Sequence, residues 1–257
     1  MYENCESLIL RRTRYSETSY IVTLFTRESG RADALAKGAR RPKNPMRGHF
    51  DFLAHEEVTL FRRERSGLDI ATAAALYSDF PGLRGNPLSF AAGGLLAEIL
   101  LTAGQPGDPY PEVFTAVLDA VRRLDAGENA AGTLVPCLTA VLRGLGFAPR
   151  LDGCVYCGRE EPSALALSPA AGGMVCADCL RRLPDADNRV FPMLNRGDLA
   201  VLRRVPDSDT RLRLSGGIAL LRALELYYRY VFSREIRSFP LLYRMLNRTA
   251  GAGRIAV

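Results

Sequence analysis

Ser19-Tyr-Ile-Val-Thr-Leu-Phe-Thr26, the break Arg27-Glu-Ser-Gly30, and Arg31-Ala-Asp-Ala-Leu-Ala36 decide how the first third of this chain folds. Two short apolar-containing runs flank a turn that ends in Gly, the pattern of a β-hairpin. Moving outward, Cys5–Arg12 precedes the hairpin, Leu53–Arg62 alternates in part, and Leu68–Leu76 follows Ser66-Gly67. Some five short strands within 80 residues predict a small barrel rather than a βαβ unit. Five is the strand number of the OB-fold, a barrel that commonly binds oligonucleotides; from pattern alone an SH3-like barrel fits nearly as well. Phe25, ending an apolar strand, reads as core.

Beyond Phe80-Pro-Gly and Gly85-Asn-Pro87 the period changes. Asn86 is placed to cap a helix whose first residue is Pro87. Leu88–Ala103, Pro111–Leu124 and Thr133–Gly146 read as helices, with breaks at 104–109 and 127–132. Val113, Val117, Val121 and Leu124 recur at helical spacing. After a cysteine-bearing segment, Asn195–Arg204, Leu212–Ser233 and Pro240–Asn247 read as helical. The expectation is an α+β chain: an N-terminal OB-type barrel over residues 1–80, then a helical domain over 81–257 carrying a metal segment at about 152–180.

The 257 residues carry a net charge of +6, unevenly spread. Residues 1–80 hold 13 basic and 11 acidic side chains, 81–195 hold 9 and 12, and 196–257 hold 12 and 5. A basic balance suits a polyanion partner, although the preference for Arg over Lys also reflects composition. No apolar stretch is long enough to span a bilayer, and Met1 to Ile9 lacks a basic run. Neither a membrane segment nor a secretory signal is expected, and the location expected is the cytoplasm.

Four of the six cysteines form Cys154-Val-Tyr-Cys157 and Cys176-Ala-Asp-Cys179, with eighteen residues between them. A CxxC turn lets two thiolates grip one ion, and two such turns complete a tetrahedral sulfur site, for which Zn²⁺ is the usual occupant. Four sulfurs leave no position for a catalytic water, so one structural zinc is expected. Gly153, Gly158, Gly172 and Gly173 supply turns around it. Cys137, inside an apolar helix, reads as a small buried hydrophobe.

Ala34–Phe50 carries Lys37, Arg40, Arg41, Lys43 and Arg47 with no acidic residue, on a loop marked by Gly38, Pro42, Pro45 and Gly48. A flexible loop so charged is a phosphate-contacting candidate, with Tyr15, Tyr20, Phe50 and Phe52 as stacking faces, or else a solvated loop beside core aromatics. Arg62-Arg-Glu-Arg65 reads as a basic hairpin tip. In the C-terminal segment, Leu220, Leu224 and Tyr227 have core spacing, whereas Arg222, Arg229, Arg234 and Arg237 line a wet face. With no P-loop, nucleophile elbow or HExxH, and only two histidines, enzymatic chemistry and nucleotide binding are not expected.

Taken in order, these segments resemble the bacterial RecO family. Leu10–Thr26 looks like its first strand pair, Lys37-Gly-Ala-Arg-Arg41 is similar to its basic loop, and Leu145–Cys154 followed by Gly172–Cys176 leads through the metal segment in the same manner. The chain departs from it at Ser233–Ser238. The resemblance implies binding of single- and double-stranded DNA, strand annealing, and partnership with RecR and with the acidic C-terminal tail of single-strand-binding protein. Together these load recombinase onto DNA at the nucleoid. Arg229, Arg234, Arg237 and Tyr227 are the residues offered for that tail. The alternatives are an OB-fold and zinc-ribbon RNA-binding protein, and a metal-dependent nuclease.

Overall fold

Strand β1 (Tyr2–Arg14) pairs with β2 (Tyr20–Thr26) on one side and β4 (His55–Phe61) on the other. Strand β3 (Gly30–Ala36) pairs antiparallel with β2, and β5 (Asp69–Ser78) with β4. Closure comes from β3 and β5, which run parallel through Ala34↔Asp69, Leu35↔Ile70 and Ala36↔Ala71. The result is a closed barrel in the order β1-β2-β3-β5-β4, the Greek-key arrangement of the OB-fold. The computed structural model describes residues 1–63, 68–183, 191–203 and 217–252; the Glu64–Gly67 part of the basic hairpin tip, Arg204 and 212–216 lie outside them.

Period-two alternation fills the barrel. Along β3, Ala32, Ala34 and Ala36 point inward and Arg31, Asp33 and Leu35 outward. They meet Cys5, Ile9, Val22, Leu24, Val58 and Leu60. Strand β2 is buried on both faces, and its outward Phe25 stacks with Tyr110 and Phe114, each 6.4 Å away.

Those two rings belong to the helical body. Helices α1 (Pro81–Gly85), α2 (Pro87–Ala103), α3 (Pro111–Asp125) and α4 (Ala130–Gly144) follow the barrel directly. Helix α2 is almost wholly apolar and is buried on most sides. Its start is the expected one: Asn86 Oδ1 accepts from the N–H of Leu88 and Ser89 ahead of Pro87. Helix α4 starts earlier than the expected Thr133, because Asn129 Oδ1 accepts from Gly132 N at 2.8 Å. Ala130-Ala-Gly132 adds no apolar stripe by which periodicity could detect that first turn.

Leu8, Leu10, Phe25 and Leu53 of the barrel share one buried cluster with α2, α3 and α4, so the core runs on across the strand-to-helix change. At Gly30, φ is +63° and an added Cβ would lie 2.2 Å from Asp108 O, because the hairpin turn abuts the α2–α3 connection. Glycine is required there twice over.

The body is completed by a small sheet, β6 (Ala164–Ser168), β7 (Gly173–Cys176) and β8 (Leu194–Asn195), and by helices α5 (Ala177–Leu180), α6 (Arg196–Arg203), α7 (Gly217–Phe232) and α8 (Ser238–Ala252). Helix α8 begins before the expected Pro240. Pro240 occupies the first turn, where its missing N–H goes unused, and Glu98 of α2 accepts from the N–H of Arg237 (2.8 Å) and Ser238 (2.7 Å).

Tyr228 of α7 is fully buried and donates its hydroxyl to Leu138 O of α4 at 2.8 Å. Tyr228→Phe will therefore remove one buried hydrogen bond, while Leu138 O keeps its helical partner, and lower stability by about 1 kcal/mol. An unchanged denaturant midpoint would contradict this. No helix among the described residues is long and apolar enough to cross a membrane.

Candidate nucleic-acid interface and metal centre

The basic loop after β3 is less free than its composition implies. Arg41 N bonds Gly38 O, Asn44 N bonds Arg41 O, Arg47 N bonds Asn44 O and His49 N bonds Met46 O, a run of consecutive tight turns. Ala39, Met46 and Phe50 are buried in the barrel interior and stop its end like a plug. Apolar anchors placed between the charges leave Lys37, Arg41, Lys43 and Arg47 exposed and Arg40 half-buried. Phe50 is 0% exposed, so it offers no stacking face and takes the core alternative. Phe52 is half-buried and packs edge-on against Phe90.

The β1–β2 hairpin rises beside the loop and adds cations not singled out from the sequence. Arg12 and Arg14 pair in register with Val22 and Tyr20, placing Arg12, Arg14 and Tyr20 on one face. The guanidinium of Arg12 lies 4.9 Å and that of Arg40 5.8 Å from the Tyr20 ring centroid. Arg40 also donates to Ser16 O at 2.9 Å, and its backbone N–H to Thr18 O at 3.0 Å. Arg12 is bridged to Asp51 at 2.7 Å. Tyr15, at the hairpin tip, is 63% exposed. The barrel end thus presents a fixed field of cations around one half-buried and one exposed aromatic ring. Loop and hairpin are held in place, so little ordering entropy stands against an incoming polyanion. The only signal for Arg12 and Arg14 was their period-two spacing on a strand.

The four cysteines converge. Cys154 and Cys157 lie on the turn after the Arg150↔Gly173 bridge, and Cys176 and Cys179 on the β7-to-α5 junction. Gly173 sits where a Cβ would fall 2.5 Å from Arg150 O. All four sulfurs lie within 4.8 Å of one another, and Cys157 and Cys176 are 3.7 Å apart. A tetrahedron with Zn–S bonds of about 2.3 Å has edges of about 3.8 Å, so this donor set fits a divalent ion.

Burial pushes the Cys154 thiol up, but the N–H groups of Cys176, Cys157 and Tyr156 outweigh it and hold it at about 6. Hydrogen bonding to the Cys157 sulfur, burial, and the Cys176 and Cys154 sulfurs push Cys179 up to about 12. So close a set of thiolates calls for a cation among them. Arg159 and Arg181 both pair with Asp178, the first tying one CxxC turn to the other. Among the described residues, only Cys154, Ala166, Val175, Cys176 and Leu180 are buried in the local cluster, a core that by itself is small. Cys137 is buried in α4, and burial pushes its thiol to about 12.

In the C-terminal helices Leu220 and Leu224 face the core as expected, and Arg229, Arg234 and Arg237 are exposed. Tyr227 is 4% exposed and packs inward, so it has no surface to offer a partner. Its spacing with Leu220 and Leu224 already put it on the apolar stripe. Arg222 lies over the Tyr243 ring.

The chain matches two family profiles, "Recombination protein O N terminal" over residues 1–80 and "Recombination protein O C terminal" over residues 84–239. It is 36% identical over 176 residues to the "DNA repair protein RecO" of Rhodopirellula baltica, covering 67% of this chain and 65% of that protein. It is 29% identical over 253 residues to the protein of the same name from Desulfitobacterium hafniense strain Y51, covering 95% and 90%. The like-named protein of Anaeromyxobacter sp. strain K is 36% identical over 223 residues, 82% of each chain.

Proposed function

This chain belongs to the recombination protein O family, and from that premise we propose that it is a DNA-repair mediator that binds single- and double-stranded DNA and anneals complementary strands. The observation that carries the reading is the barrel end. There, Arg12 and Arg40 lie over Tyr20, Arg14 pairs with it across the hairpin, Lys37, Arg41, Lys43 and Arg47 stay exposed on the adjoining loop, and Tyr15 is exposed at the hairpin tip. Phosphates bound by these cations release counterions, which supports sequence-independent affinity and neutralises repulsion between two strands. Rings beside the cations can hold bases unstacked until they find a complement. Base pairing supplies the free energy, so no covalent step and no nucleotide are needed.

In this reading the protein acts in the cytoplasm, with RecR and with single-strand-binding protein, to load recombinase. Cys154, Cys157, Cys176 and Cys179 hold one zinc, which supplies structural cross-linking of the segment rather than catalysis. The test is annealing of complementary strands coated with single-strand-binding protein. The expected result is faster annealing, sensitive to salt and indifferent to ATP. No acceleration, or a preference for RNA over DNA of the same sequence, would overturn it.

The acidic tail of single-strand-binding protein ends in charged and aromatic residues, so its receptor pairs cations with apolar surface. Exposed Arg229, Arg234 and Arg237 with Val231 and Leu241 supply both; Tyr227 does not take part. A peptide copying the tail will bind in a salt-sensitive manner. An Arg229→Glu, Arg237→Glu variant will lose the peptide and keep naked DNA. Equal peptide binding by that variant would remove the site from these helices.

A further inference from the structure

Two aromatic rings stand at the seam between barrel and helical body, at the edge of the basic field. The chain turns sharply after the basic loop: Phe50 has φ +68° and Leu53 φ +59°, in the left-handed region that non-glycine residues avoid. These two strained residues carry their own side chains inward, Phe50 to 0% and Leu53 to 1% exposure, and leave Phe52 between them half-buried at the surface. The turn is fixed on both sides. Phe50 N–H donates to Glu56 Oε1 at 2.9 Å, and Leu53 N–H to Ile9 O at 2.7 Å. Phe90, near the start of α2, meets the Phe52 ring edge-on at 5.5 Å and is itself 42% exposed.

This ring pair is continuous with the cations of the barrel end. Arg12, whose guanidinium lies 4.9 Å from the Tyr20 ring centroid, donates to His49 O at 3.2 Å and bridges Asp51, the residue before Phe52, at 2.7 Å. Asp51 is therefore compensated by Arg12. The pair also has a cation of its own. Arg84 of α1 donates to Phe52 O and to Asp79 O, each at 2.6 Å. Both acceptors are neutral backbone carbonyls, which hold the guanidinium beside Phe52 and leave its positive charge in place.

Resting on the DNA-binding reading, we infer that Phe52 and Phe90 form a stacking step for single-stranded DNA, which carries the strand from Tyr20 on the barrel onto the helical body. Phosphates follow Arg12 and Arg84, and a base between them rests on the exposed Phe90 ring, which Phe52 braces. Every base has a π-face, so the step is indifferent to sequence. A duplex keeps its bases stacked on one another and has none to offer. The step therefore discriminates single strand from duplex, which phosphate contacts by themselves do poorly. Bases held apart along this longer path stay open to a complementary strand.

The sequence has no tryptophan, so Phe90→Trp puts a single indole at the step and keeps a ring there. Its emission will be quenched as oligo-dT is added and will hardly change with a blunt duplex. Phe90→Ala will bind oligo-dT of about fifteen nucleotides on the order of tenfold more weakly than the wild type, and duplex within about twofold. The slope of log affinity against log salt will not change, because no phosphate contact is lost. Phe90 is exposed, so the melting temperature should hold. An indole blind to saturating oligo-dT, or a Phe90→Ala variant that binds oligo-dT as the wild type does, overturns the step and leaves the DNA-binding reading standing. Equal weakening of single strand and duplex assigns Phe90 to the seam between barrel and body and overturns the step as well. Absence of binding of either DNA by the wild type overturns the DNA-binding reading with it.

Discussion

Purified protein will carry one zinc per chain, and Cys157→Ser will remove it. Cys157 is the most exposed of the four ligands, so serine adds no steric problem and the loss isolates the metal. Among the described residues, the segment it staples has a buried cluster of five, two of them cysteines, which is too little to hold two turns and a short sheet together. Leu165, Leu167, Met174 and Leu194 of that sheet also form part of the main core, so loosening it exposes apolar surface of the body. We expect a stability loss of about 3–5 kcal/mol, a melting temperature lower by on the order of 10 °C, and poorer solubility. DNA binding, which we propose for the basic loop on the barrel, will suffer only through the unfolded fraction. Cys137→Ser serves as the control: it will keep the metal. Folded wild type without stoichiometric metal, its four thiols titrating freely, would show that the cysteines serve another purpose.

Reversing Arg40 and Arg41 to Glu will weaken DNA binding on the order of a hundredfold at moderate salt, for all sequences alike. Removing two phosphate contacts will also flatten the slope of log affinity against log salt by about 1.4 for a single strand. Arg41 is exposed and lies on the solvent side of the turns, whereas Arg40 also ties the loop to Ser16 O and covers Tyr20. Arg41→Glu alone therefore reports phosphate contact, and the further loss on adding Arg40→Glu includes the local geometry. The buried anchors Met46 and Phe50 are untouched, so the melting temperature should hold. Unchanged affinity at low salt would move the interface to the C-terminal arginines.

What the sequence by itself determined was local. The five barrel strands and the longer helices followed from periodicity over a few residues, the start of α2 from Asn86-Pro87, and the metal centre from two CxxC turns whose ligand geometry is built into the spacing. Each rests on neighbours within a turn or two, where propensity and covalent geometry suffice. Tertiary structure alone decided the rest. The parallel β3–β5 pairing that selects an OB barrel joins residues 35 apart. Packing, not composition, buried Phe50 as a plug. The β1–β2 hairpin brought Arg12 and Arg14 beside the basic loop, and α2 set Phe90 against Phe52. These juxtapositions depend on how strands close and which faces are covered. Loop closure and burial balance over the whole chain to set that outcome, and no window of sequence contains it.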